Sequence, residues 1–280
     1  MATLKVACIQ NCATPEVDHN IEACLRLTRQ AASAGARLIA LPEYFSGLRT
    51  EGPRIFPVAF RETEHPVIPA FAAAARSLEV TILLGSVAVM APDGRIVNRS
   101  CLIDRQGRIA ARYDKIHLFD VDLGEGRVVR ESATIAPGGE AIVAAAEGAA
   151  LGLSICYDLR FAQLYRALAQ AGADVLAVPA AFMRLTGEAH WHVLNRARAI
   201  ENGAFVVSPC QYGTLAGGAE CFGHSLIVDP WGRVLADGGE EEGFIVADLD
   251  LGEVAAARRR IPSLRHDRPF RLDQAREAAE

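Results

Sequence analysis

Three side chains of unlike chemistry stand where expected strands end: the carboxylate of Glu43, the ammonium of Lys115 and the thiol of Cys156. Residues 151–155 carry no charge, follow Gly-rich sequence and precede an amphipathic stretch, the pattern of a buried strand turning into a helix. A thiol at such a turn sits at a sheet edge, with backbone N–H groups aimed at whatever binds there. Glu43 follows the apolar run 38–41 in AGARLIALPEYF, and Lys115 follows a hairpin arm that ends RYDK. A carboxylate there can take a thiol proton, return it to a leaving amine and activate water. A compact ammonium, with the backbone N–H of Tyr157, can stabilise a tetrahedral oxyanion. Singly, each residue has an ordinary alternative: a cysteine packed as a small hydrophobe, a solvated strand-end acid, a surface lysine. Jointly, at the C-terminal strand ends where open α/β sheets collect ligands, they form a candidate nucleophile, base and oxyanion partner. Lysine usage sharpens the point, since only Lys5 and Lys115 among 29 basic residues are lysines and the two cationic side chains are not interchangeable.

The elements that must position them follow a repeating grammar. Residues 4–9 read as a strand, 17–34 as a helix with Ile21, Cys24, Leu25 and Thr28 on one side, and 67–78 as a second helix. Residues 80–90 read as a strand and 101–113 as a hairpin turning at 105–107. After Cys156, the spacing of Leu159, Leu164, Leu168 and Ala171 predicts a helix that stops at Gly172. The stretch AGADVLAVPAAF (171–182) echoes AGARLIALPEYF (34–45), and HSLIVDPWGRVLAD (224–237) echoes SCLIDRQGRIAARYD (100–114). Two copies are too few for a solenoid. The expectation is an α/β fold: a four-layer αββα sandwich of two mixed sheets with a pseudo-twofold internal repeat. It would be one domain over 1–280, with a polar C-terminal arm from about 262. The Gly-rich, acidic linker 121–140 has little periodicity and is expected to be mobile or functional.

Composition narrows the class. A chain of 280 residues, 51% hydrophobic and 22% charged, can bury a large core and is not disordered. A formal net charge of −5, with no basic run before Arg258-Arg259-Arg260, argues against nucleic-acid binding; that cluster reads as a solvated helix face. No apolar stretch reaches the ~18 to 20 residues that span a bilayer, and no signal-peptide pattern opens the chain, so no membrane partner and a cytoplasmic location are expected. Seven cysteines without a CxxC pair suggest neither a disulfide framework nor a zinc ribbon. His190 and His192 occupy alternate positions, which on a helix do not share a face, so no metal site is expected.

At LPEYF, YDKIHLFD and SICYDLRF, in that order, the chain resembles the nitrilase superfamily of carbon-nitrogen hydrolases, and RESATIAPGG, PAAF, TGEAHWHVLNRARAIENGAFVVSPCQ and GHSLIVDPWGRVLA extend the likeness over nearly its whole length. The resemblance implies an αββα sandwich, a homodimer formed through the Cys-bearing face, no cofactor, and a small amide as substrate. HLFDVD, RES, TGEAHW and RARAIEN resemble the branch that acts on omega-amides of 2-oxo dicarboxylates and on deaminated glutathione. That branch implies Glu131 as a second active-site glutamate, with Tyr44, Tyr157, Arg160 and Phe182 binding substrate. Related carbamoylases use an arginine at the offset of Arg160 to grip a carboxylate; a buried structural ion pair is the alternative. Arg184 and Arg49 are further candidates for that cation. The chain departs from the branch at Asp114, at Ala162 and at Met183-Arg184-Leu185, positions expected near the entrance. The expected activity is a thiol amidohydrolase. Its rivals are a nitrilase, an N-carbamoyl amino acid hydrolase, a silent scaffold of the same fold, and a Cys-His-Glu amidotransferase using His190 or His192.

Overall fold

The computed structural model describes residues 3–51, 54–91, 93–124 and 126–273. The first sheet takes strands Ile96–Ile103, Thr81–Met90, Leu38–Ala40, Thr3–Gln10 and Gly243–Asp250 in spatial order. Ile109–Asp114 and Ile135–Ala136 also pair with Ile96–Ile103, and Ala59–Arg61 pairs with Thr81–Met90. The second sheet runs Val143–Ala146, Ala149–Leu153, Val175–Ala177, Phe205–Ser208, Leu226–Val228 and Val234–Asp237. In each, three consecutive strands are parallel and the flanking pairs antiparallel. Parallel neighbours need a crossover, which the helices supply: α1 (Val17–Ser33) and α2 (Val67–Leu78) for the first sheet, α3 (Ala162–Gln170) and α4 (Arg184–Asn202) for the second. A fifth helix, α5 (Gly252–Arg260), follows the last strand.

Strand alternation sorts the core. In Thr3–Gln10, Val6 and Cys8 join a buried cluster with Leu151, Leu153, Val175 and Phe205 of the second sheet. Ala7 and Ile9 point the other way, into a cluster with Cys24, Leu27 and Ala31 of α1 and Phe71 and Ala75 of α2. Each fully buried aliphatic side chain contributes ~1.5 to 3 kcal/mol, so a one-residue slip of this strand would reverse both sets. No described helix is long and apolar enough to cross a membrane.

Two expectations need correction. The helix predicted over 159–171 is two pieces, a 3₁₀ turn Cys156–Arg160 and then α3, because Phe161 (φ −106°, ψ 83°) leaves helical geometry; Ala171 is an exposed C-cap rather than a core position. Within the linker, Asp120–Asp122 and Val128–Arg130 form a hairpin and Glu131–Ala133 a 3₁₀ turn. Arg258 is not simply solvated: its guanidinium donates to the carbonyls of Ala173 (2.6 Å) and Asn202 (3.1 Å). The arm begins by docking on α3, where Arg166 and Gln170 bind Ser263, Leu264 and Asp267; its last residues, 274–280, lie outside the described residues.

Candidate active site

Three strand ends and one turn of the linker converge. Past Leu38–Ala40 the chain turns at Glu43, and Tyr44 takes a left-handed φ of 51°. Gly85 makes room for that turn, since a Cβ there would stand 1.7 Å from the Leu41 carbonyl oxygen. Next to it, Ser86 accepts the Tyr44 N–H (3.1 Å) and donates its own to Pro42 (3.2 Å). Lys115 follows Ile109–Asp114, and its N–H and carbonyl are tied to Asn98 (2.9 Å) and Gly138 (2.8 Å).

Cys156 leaves the Ala149–Leu153 strand with φ 49°, a conformation that side chains other than glycine's rarely adopt, and its N–H donates to Pro179 (2.9 Å). Such strain persists only where neighbours over-determine it. Asp158 does so here. Its buried carboxylate accepts the Ile155 N–H (2.8 Å), the Tyr113 hydroxyl (2.6 Å) and the His117 N–H (3.0 Å), and meets His117 Nδ1 at 2.7 Å. The elbow bearing the thiol is thereby bolted to the residues flanking Lys115.

Glu43, Lys115, Glu131 and Cys156 all come together and all are buried. The surface-residue readings of Glu43 and Lys115 are overturned. Lys115 Nζ lies 2.9 Å from Glu43 Oε1 and 2.9 and 3.1 Å from the two Glu131 oxygens. Asn98 donates to Glu43 Oε1 and the Ala181 N–H to Oε2, both at 2.8 Å; the Phe119 N–H holds Glu131 at 2.6 Å. Every carboxylate oxygen is engaged and the ammonium fills the gap between the acids, so a metal ion there would have to displace Lys115.

Burial works against the Lys115 charge, but Glu131 and Glu43 outweigh it and hold its pKa well above the ordinary lysine value. The magnitudes agree: a unit-charge contact near 4 Å is worth ~4 kcal/mol at an effective dielectric of ~20, and two exceed the several kcal/mol needed to bury one ion. Burial and the Glu43 charge, with a hydrogen bond to Glu43, push the Cys156 thiol well above its ordinary value against the pull of Lys115. Burial and Glu43 likewise raise Glu131, opposed by Lys115. Two acids against one ammonium leave no spare positive charge for a thiolate. Cys156 rests as a thiol with a base beside it.

These four residues line a cavity of about 50 Å³ of water-accessible space, closed by Tyr44, Tyr157, Phe119, Phe182 and Met183 among others. The Tyr44 hydroxyl is buried and has no hydrogen-bond partner among the described residues. Arg160 is not part of the lining. Its guanidinium stands 5.4 Å from the Phe182 ring and 5.9 Å from the Tyr157 ring, 3.2 Å from His190, and pairs with no carboxylate among the described residues, so the buried ion-pair reading fails. Arg184 is engaged by Glu188, Glu220 and Glu240, and Arg49 by Glu51. Asp114 is clamped by Arg99 at 2.7 and 2.8 Å and, like Ala162, lies outside the lining. Sequence reading missed Asn98, His117 and the anchoring role of Asp158; Asn98, a polar residue at an inward strand position in VNRSC, is the one with a visible signal.

The chain is 39% identical over 264 residues to a deaminated glutathione amidase from Synechocystis, covering 93% of this chain and 96% of that one. It is 32% identical over 271 residues to human omega-amidase NIT2, covering 96% of each. Among solved structures, the NitFhit protein of C. elegans superposes with a TM-score of 0.86 at 30% identity, over 96% of this chain and 66% of that longer one. The carbon-nitrogen hydrolase family model matches residues 5–259. The chain, which gathers a thiol, two glutamates and a lysine at three strand ends and a turn of the linker, belongs to the carbon-nitrogen hydrolase family.

Proposed function

We propose that this protein is a thiol amidohydrolase that hydrolyses small carboxylate-bearing amides, of the omega-amide or deaminated-glutathione kind that its relatives' names indicate. The observation that carries the reading is the buried Glu43–Lys115–Glu131 cluster against the Cys156 thiol. Glu43 takes the thiol proton as Sγ attacks the carboxamide carbon. Lys115, with the Tyr157 N–H, stabilises the oxyanion. Glu43 then passes that proton to the amide nitrogen, which leaves as ammonia as the C–N bond breaks; a water deprotonated by Glu43 attacks the thioester, and the proton returns to sulfur as the acid and the free thiol are released. Glu131 orients Lys115 and the substrate amide. The unpartnered Tyr44 hydroxyl is placed to hydrogen-bond substrate, while Tyr157 and Phe182 wall the cavity. Of the three candidate arginines, Arg160 is the one without a carboxylate partner among the described residues and so the one available to a substrate carboxylate.

The reading extends to the whole chain as a single domain in a four-layer αββα sandwich. Its support is the matching order of strands, crossover helices and hairpin in residues 3–114 and 149–237, which the reading takes as a pseudo-twofold internal repeat. It also includes a cytoplasmic homodimer. The test of substrate class is kcat/KM for matched amides with and without a terminal carboxylate, at one pH and salt. A charged hydrogen bond worth ~1.5 to 3 kcal/mol predicts at least ~10-fold preference for the carboxylate. Equal values, or preference for nitriles, would remove the omega-amide reading, and carbon dioxide released with ammonia would indicate a carbamoylase.

A further inference from the structure

We propose that His192, His224 and Asp237 form a binding site for a divalent transition-metal ion of the zinc class, outside the catalytic cavity. Their ligating atoms all lie within 4.8 Å of one another. His192 Nε2 stands 2.9 Å from one Asp237 oxygen and His224 Nδ1 2.8 Å from the other. In a tetrahedral site with zinc-to-ligand distances of ~2.0 to 2.2 Å, ligand atoms stand roughly 3.3 Å apart, so small rotations of two partly exposed rings complete three corners and leave the fourth to water. Two imidazoles and one carboxylate suit zinc, cobalt, nickel or copper and not magnesium or calcium, which prefer all-oxygen sets.

The three residues come from different elements and each is held. His192 lies on α4, His224 just after the Glu220–Phe222 strand, and Asp237 ends Val234–Asp237. The backbone of His224 is fixed on both sides, its N–H donating to Gly239 (2.6 Å) and its carbonyl accepting from Trp191 Nε1 (2.7 Å). Its ring stacks on Phe222 at 4.5 Å, with Nε2 3.8 Å from Glu240, which orients Nδ1 toward Asp237. The Gly239 N–H holds Asp237 Oδ1 at 2.9 Å. Side-chain exposures of 38%, 23% and 34% give an ion a path from solvent. The spacing of His190 and His192 hid this cluster, because the second imidazole comes from a distant segment.

Without an ion, the same residues make a hydrogen-bonded clasp between α4 and the loop after Asp237, and the test separates the two roles. Co²⁺ and Zn²⁺ are titrated into the full chain, with Mg²⁺ as control. The expected result is one ion per chain, with the visible bands of tetrahedral cobalt and no sulfur-to-cobalt charge transfer, which excludes the seven thiols. His192→Ala should weaken binding at least ~10-fold, and so should His224→Asn, chosen because asparagine tolerates the left-handed φ of 51° there. Circular dichroism of each metal-free variant should match wild type. Unchanged affinity in the variants, a sulfur band, or no binding by the wild type would leave only the clasp.

Discussion

At the scale of single residues, the site is an argument about charge. Lys115 is a point cation seated between two acids, and arginine cannot reproduce that: its planar fork is larger and would have to displace Glu43 or Glu131. Lys115→Arg should therefore lose at least ~100-fold in kcat, the scale for removing an oxyanion donor, measured as steady-state ammonia release; near-normal turnover would remove Lys115 from the chemistry. Cys156 supplies a second prediction. Burial and Glu43 hold its pKa well above the ordinary thiol value, so the thiolate is not the resting form near neutrality. A wild-type minus Cys156→Ala difference titration of thiolate absorbance should show no step near neutral pH; a step there would mean a preformed thiolate and no need for Glu43 as base. The types Glu, Lys and Cys were legible in sequence because each follows the end of an expected strand, and Lys115 also because lysine is otherwise so rare in the chain. Arg160 was half legible: its offset of four residues from Cys156 is read from the motif, but its place beside the Phe182 ring and outside the lining depends on side-chain packing that no spacing reveals.

At the scale of elements, the strands and the strand-to-helix position of Cys156 were legible, and the 3₁₀ form of the turn that follows was not. Apolar runs at 4–9, 80–90 and 151–155 announce strands, and amphipathic spacing announces α1, α2 and α3. The 3₁₀ turn Cys156–Arg160 was concealed because Leu159 has the periodicity of a helix while the local geometry is set by long-range hydrogen bonds to Asp158 from Tyr113 and His117. Those contacts are also a prediction. Tyr113→Phe removes a 2.6 Å donor from a fully buried carboxylate, at a cost of ~1 to 3 kcal/mol. The denaturant midpoint should fall accordingly and kcat with it, since the elbow loses one tie to the Lys115 strand end. An unchanged midpoint would show that Asp158 is not what holds Cys156 in its strained conformation.

At the scale of the whole molecule, the two echoing sequence halves correspond to two sheets with the same succession of parallel strands and crossover helices, and this architecture sets Glu43 and Lys115 from one sheet opposite Cys156 from the other. Packing between the sheets explains why so aliphatic a chain was needed. The outside of α4 is a different matter: Leu185, Val193 and Ile200 are 49%, 62% and 52% exposed and fall on one helical stripe. If that stripe seats a second copy, Val193→Glu should convert a dimer to a monomer by light scattering; a monomeric wild type would contradict the dimer. The central claim is that one thiol of seven forms the covalent intermediate, and acid quenching during turnover followed by peptide mass mapping tests it most directly. The acyl mass is predicted on Cys156 alone, and absent in both Cys156→Ala and Glu43→Gln. An acyl adduct on any other cysteine, or full turnover by Cys156→Ala, would contradict it.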